Sequence, residues 1–157
     1  MPLTFPDGQR FATGATSYHY RPATAHETTP RIILHVEIEG ILTEAMLDTG
    51  GVYLVCHPHL VTLMDLDAAD ATSGPQSLLF RGVVIHGRLH RLQLTILPDD
   101  GEPLDIQATA FVPEPGEEEN WGDVPSILGL YGCLERLRFA VDPTTEMFYF
   151  GPASGSL

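Results

Sequence analysis

Residues 31–50 read Arg31-Ile-Ile-Leu-His-Val-Glu-Ile-Glu-Gly40-Ile-Leu-Thr-Glu-Ala-Met-Leu-Asp48-Thr49-Gly50. From Arg31 to Glu39 apolar and polar residues alternate, the pattern of a strand with one face in a core. Gly40 punctuates a turn, and Ile41 to Leu47 makes the return strand. This hairpin delivers Asp48 at the end of an apolar run. Asp48-Thr49-Gly50 occurs once in the chain; Asp7-Gly8 and Asp100-Gly101 lack the middle hydroxyl residue and read as turns.

Strand chemistry continues on both sides. Val52 to Val55 is a short β-branched and aromatic strand, and His57-Pro58 starts a helical turn through Leu60 to Met64. Residues 65–75 are acidic and loop-like. Leu78–Ile85 and Arg88–Leu97 are apolar-rich runs joined at His86-Gly87, read as a tight hairpin turn. Asp99-Asp100-Gly101 marks another turn before a strand over Leu104–Val112. Glu114–Asp123 is polar, carries three consecutive glutamates and reads as an exposed loop that Trp121 anchors to the body or to a partner. Ser126–Arg136 has the one good helical pattern, with Leu130, Cys133, Leu134 and Leu137 at helical spacing. Phe139–Val141 and Met147–Phe150, joined by a turn over Asp142–Thr145, form a closing hairpin whose aromatics suit either a core strand or a dimer interface. The expected class is all-β, mostly β with one or two short helices. The division is an N-terminal arm over 1–30, partly irregular with a short strand near Thr16–Tyr20, a domain over 31–151, and a flexible tail over 152–157.

Composition narrows the partners. The chain has 157 residues, enough for one domain with its own core. It carries 8 basic and 21 acidic residues, a net charge of −13. That argues against nucleic acid or an anionic membrane as partner, since both are bound through Lys and Arg. No stretch reaches the roughly 20 apolar residues of a membrane helix, and the N-terminus lacks the basic head and apolar block of a signal peptide. A cytoplasmic location is therefore expected, with Cys56 and Cys133 reduced in the core.

Three features fall in order: a strand hairpin into Asp48-Thr49-Gly50, a second hairpin region over 74–92, and Ile127-Leu128-Gly129. In this order, over roughly Arg31 to Phe139, the chain resembles the retropepsin-like (retroviral-type, single-domain) aspartic protease family. The resemblance implies an acid protease barrel, one lobe per chain. It implies Asp48 as catalytic carboxylate, Thr49 as a hydrogen-bonding residue across a dimer axis, and Gly50 as the site of close backbone approach. Ile127-Leu128-Gly129 would buttress that loop. Gly51, Val52 and Ile127 would line the substrate site. Ile85, His86 and Gly87 would form the flap, with Ser73-Gly74-Pro75 as the competing tip.

A single Asp-Thr-Gly supplies half of the chemistry. Two carboxylates about 3 Å apart share one proton; the ionised one activates water and the other polarises the scissile carbonyl. The pair must come from two copies on a two-fold axis. The implied partners are a second copy of the chain and a peptide or protein substrate, with no cofactor and no metal. His57 and His59 flank Pro58 beside Cys56 but lack a second cluster of matching spacing, so they read as capping or surface residues.

Two departures from the family pattern bear on activity. Active members usually carry Ala or Ser after the tripeptide; here it is Gly51. An acidic residue and an Arg that pair near the dimer contact in retroviral enzymes are replaced by Val52 and Leu130, a swap of an ion pair for packing. The alternatives to a peptidase are a non-catalytic dimerisation or peptide-binding module of the same fold, and a different small β-barrel in which Asp-Thr-Gly is a plain turn.

Overall fold

The computed structural model describes residues 3, 4 and 6–153, so residues 154–157 of the expected tail lie outside the described residues. Twelve strands and two short helices occur among the described residues. The strands are β1 (Gly14–Ser17), β2 (His19–Pro22), β3 (Pro30–Ile38), β4 (Ile41–Val52), β5 (Leu54–Val55) and β6 (Gln76–Phe80). They continue with β7 (Val83–Ile96), β8 (Asp100–Gly101), β9 (Leu104–Pro113), β10 (Ser126–Tyr131), β11 (Leu137–Asp142) and β12 (Met147–Pro152). The helices are α1 (Pro58–Met64) and α2 (Glu118–Trp121). The protein is mostly β, and no helix among the described residues is long and apolar enough to cross a membrane.

The β3–β4 hairpin forms as its alternation requires, with Ile33 opposite Met46 and Ile38 opposite Ile41. Its two-residue turn, Glu39-Gly40, has φ of 50° and 78°, the double left-handed geometry that matches strand twist. The larger sheet runs β2-β3-β4-β10-β5-β9-β7-β6. Because β3 also pairs with β7, the strands from β3 round to β7 close into a barrel. Leu34, Val36 and Ile38 of β3 and Leu92, Leu94 and Ile96 of β7 fill it. A smaller sheet, β11-β12-β1-β8, packs Phe148 and Phe150 into the same core. Those two aromatics are core residues of their own chain.

Residues 14–22 form two strands rather than one. β1 lies along β12 and β2 along β3, so this segment is tied to both sheets. Ser126–Arg136 is not the expected helix. Residues 126–131 are strand β10, and only Leu134–Arg136 makes a 3-10 turn. The reason is burial: Ser126 to Gly129 are all enclosed, so β10 shows no polar alternation to mark it as a strand.

The smaller sheet is tied to the loop after β7 by Asp99, whose carboxylate accepts both the backbone N–H and the hydroxyl of Ser17 at 2.8 Å. Those hydrogen bonds hold the Asp99 carboxyl below its usual value of 3.8. A lowered folded-state value stabilises above the unfolded one and is lost as pH falls through it. Because Asp99 is exposed, Asp99→Asn is expected to cost under about 1 kcal/mol at neutral pH. In urea titrations that difference from the wild type should close as pH drops below 3.8.

Candidate active site

Asp48 lies near the end of β4, where two strands meet it. β10 runs parallel to β4 with Leu128 beside Leu47 and Gly129 beside Asp48. On its other side β10 pairs antiparallel with β5, through Ile127 to Val55 and Leu128 to Leu54. The chain between β4 and β5 must therefore fold back over β10. Tyr53, at φ 65°, makes that reversal. Its N–H donates to the Tyr131 carbonyl at 2.7 Å, and its carbonyl accepts the Gly129 N–H at 2.8 Å. Position 129 has no room for a side chain: a Cβ there would stand 2.6 Å from the Tyr53 carbonyl oxygen and 2.8 Å from the Gly51 carbonyl carbon. Ile127-Leu128-Gly129 thus lies directly against the Asp48 loop.

The carboxylate is half-buried, and its Oδ1 accepts the Gly50 N–H at 3.1 Å. Thr49 and Gly50 are exposed. At position 51 a Cβ would sit 3.2 Å from Asp48 Oδ2, so a side chain there would touch the carboxylate that glycine leaves open. Asp48 faces a cavity of about 480 Å³. Gly50, Gly51, Val52 and Ile127 line it, joined by Arg31, Met46 and Val55 on the floor and by Leu78, Leu79, Phe80 and Arg81 from the β6–β7 hairpin.

That hairpin corrects the expected flap tip. His86-Gly87 is not a turn, and neither is Ser73-Gly74-Pro75 the tip of this hairpin. The turn is Arg81-Gly82, at φ of 51° and 84°, between Phe80 and Val83. Ile85, His86 and Gly87 lie within β7, paired with β6, and none of the three lines the Asp48 cavity. Ile85 is fully buried, and the His86 ring is 3.1 Å from the Ser77 hydroxyl. Gly87 is needed for packing: a Cβ would stand 2.4 Å from the Val112 carbonyl oxygen. Arg31 and Leu78–Arg81 are cavity residues that the sequence pattern does not single out. Arg31 is findable all the same, because continuing the hairpin register two residues past Ile33 and Met46 sets it opposite Asp48.

The roof is tied to the body. Phe80 stacks on buried Trp121 with ring centroids 4.3 Å apart, and the Trp121 indole N–H donates to the Val124 carbonyl. At the tip, Arg81 pairs with Glu27, whose other oxygen accepts the Thr24 hydroxyl at 3.1 Å.

Other reactive side chains are occupied elsewhere. Cys56 and Cys133 are buried thiols without a disulfide; burial raises both, Cys133 to about 12. His57 caps α1, its Nδ1 accepting the His59 N–H at 3.0 Å, and burial lowers its pKa. A larger hollow of about 820 Å³ lies at the start of β4, between β2, α1 and residues 123–126. There Arg21 is paired with Glu44, and Asp48 is not part of the wall.

No protein-family model matches the chain, and no curated protein does. Among solved structures, a retropepsin-like aspartic protease from Rickettsia conorii is similar over 87% of this chain and 89% of that one, at 15% identity and a TM-score of 0.46.

The Gly129 contact is directly testable. Gly129→Ala is expected to destabilise the fold by about 3 kcal/mol, because the backbone of residues 51–53 must move to admit the methyl. Urea denaturation measures it; an unchanged midpoint would mean that β10 does not fix the Asp48 loop.

Proposed function

We propose that this chain is a retropepsin-like aspartic endopeptidase that acts as a homodimer, each copy supplying one Asp48. The observation that carries this reading is a half-buried carboxylate, held by β10 at the floor of an apolar cleft and roofed by a β-hairpin. The two Asp48 carboxylates share a proton across the two-fold axis. The ionised one takes a proton from water as that water attacks the peptide carbonyl; the protonated one hydrogen-bonds the carbonyl oxygen and then helps protonate the leaving amine. Exposed Thr49 reaches toward the partner copy. Substrate lies extended under the hairpin, where β6, an edge strand of the larger sheet, offers unpaired backbone groups.

The second copy covers apolar surface beside the Asp48 loop. Val52 and Leu130 are each 40% exposed in the single chain, and Tyr131, paired with Val52 in the sheet, is 60% exposed. Such residues next to an incomplete site fit a subunit contact. A non-catalytic peptide-binding module is the second reading, and Gly51 favours it by giving Asp48 no hydroxyl partner.

Purified protein is expected to cleave a peptide library, and Asp48→Asn to lower cleavage by at least about 100-fold with an unchanged unfolding midpoint. Peptide binding without cleavage at any pH would select the second reading. Val52→Asp sets like charges near the two-fold axis and is expected to weaken the dimer by more than about tenfold in sedimentation experiments, with activity lost in step. A dimer indifferent to Val52→Asp would place the subunit contact elsewhere.

A further inference from the structure

We propose that Arg31 forms a subsite for a substrate carboxylate, so that the Asp48 cleft prefers peptides pairing an apolar side chain with a negative group. This rests on the peptidase reading for its reaction but not for its binding.

In an antiparallel pair, residues two apart point to the same face. Met46 and Asp48 therefore share a face of β4, and Arg31 stands opposite Asp48 when the register from Ile33 and Met46 is continued. All three line the same cavity. Arg31 is exposed, and its guanidinium has no hydrogen-bond or ion-pair partner among the described residues. The second arginine of the cavity, Arg81, is already neutralised by Glu27. The free cationic group in this cleft thus belongs to Arg31.

The setting makes that charge informative. The chain has net charge −13, no lysine and eight arginines, so its general field repels acidic peptides. Attraction for a carboxylate must then be local. A guanidinium presents a planar fork of donors that matches a carboxylate with two parallel hydrogen bonds, and it stays charged at any working pH. Around it the wall is apolar, from Met46, Val55, Leu78, Phe80 and Ile127. An apolar side chain seats there, and a neighbouring carboxylate reaches Arg31. That carboxylate has two sources, an internal Glu or Asp or the C-terminus of a peptide, and the chemistry at Arg31 is the same for both.

The test uses short peptides with a central Phe–Leu bond, matched in pairs: Glu against Gln beside that bond with an amidated C-terminus, and a free against an amidated C-terminus with Gln. Cleavage is measured on the peptides themselves, and binding by calorimetry on versions whose Phe–Leu bond is a reduced amide. The wild type is expected to favour the carboxylate member of one pair by about tenfold, falling as salt rises, and Arg31→Gln to bring that ratio close to one. Arg31→Glu should invert it toward a Lys-bearing peptide. The pair that discriminates identifies the source. Equal binding of both members by the wild type would overturn the proposal, as would an Arg31→Gln variant that keeps the ratio. A variant that keeps the ratio and loses dimerisation would assign Arg31 to the partner copy instead. Because binding is read without hydrolysis, charge discrimination with no cleavage would sink the peptidase reading alone.

Discussion

The backbone-to-backbone contact at Gly129 is the constraint on which the candidate site depends. A parallel neighbour for β4 cannot come from a hairpin; it has to return from far along the chain. Here that neighbour is β10, which enters between β4 and β5 and pairs with both. The segment joining β4 to β5 must then cross over β10 within one residue, at Tyr53, and only glycine beneath it leaves the space. The consequence is a carboxylate fixed on two sides, by its own loop through the Gly50 N–H and by a strand from the other end of the domain. On the proposed peptidase reading, a carboxylate on such a rigid crossing is spared the ordering cost that a free loop would meet at each turnover.

Floor and roof are built differently. The floor is barrel wall, with Met46, Val55 and Ile127 buried among their neighbours. The roof is a two-stranded projection whose end is held by an aromatic stack and an ion pair, Phe80 on Trp121 and Arg81 with Glu27, and whose β7 strand is hydrogen-bonded to residues 114 and 117 through His86. Glu27 belongs to the connection between β2 and β3, so the N-terminal region contacts the tip of the hairpin beside the cleft. A partly exposed pair of this kind contributes little to stability. Its role is positional, since it fixes where the tip of the hairpin stands over Asp48.

Much of this is legible in the sequence, and the failures have physical causes. The β3–β4 hairpin, the helical turn opening at His57-Pro58 and the closing β11–β12 hairpin follow from alternation and turn residues, because each has one face in water. β10 escapes that logic because both faces of its first four residues, Ser126 to Gly129, are covered: Leu130, Cys133, Leu134 and Leu137 fall at helical spacing by coincidence, while Gly129, the informative residue, looks like an ordinary helix neighbour. The tip of the β6–β7 hairpin is hidden for a related reason. A two-residue turn with both φ positive favours Asn or Gly at its first position, and this one uses Arg81, inside an apolar run. Gly87 looks like a turn but is a packing glycine against β9. Asp48, Gly50, Gly51, Val52 and Ile127 do meet in one cavity; Arg31 joins them through pairing register, which local pattern alone does not express.

The central claim is that one site is assembled from two copies of Asp48. Mixing tests it most directly: wild-type chain is held constant while Asp48→Asn chain is added, with time allowed for subunit exchange, and peptide cleavage is followed. The account expects activity per wild-type chain to fall steadily as mixed dimers form, each holding one carboxylate instead of two. Activity that stays proportional to the wild-type chain, however much variant is present, would contradict it.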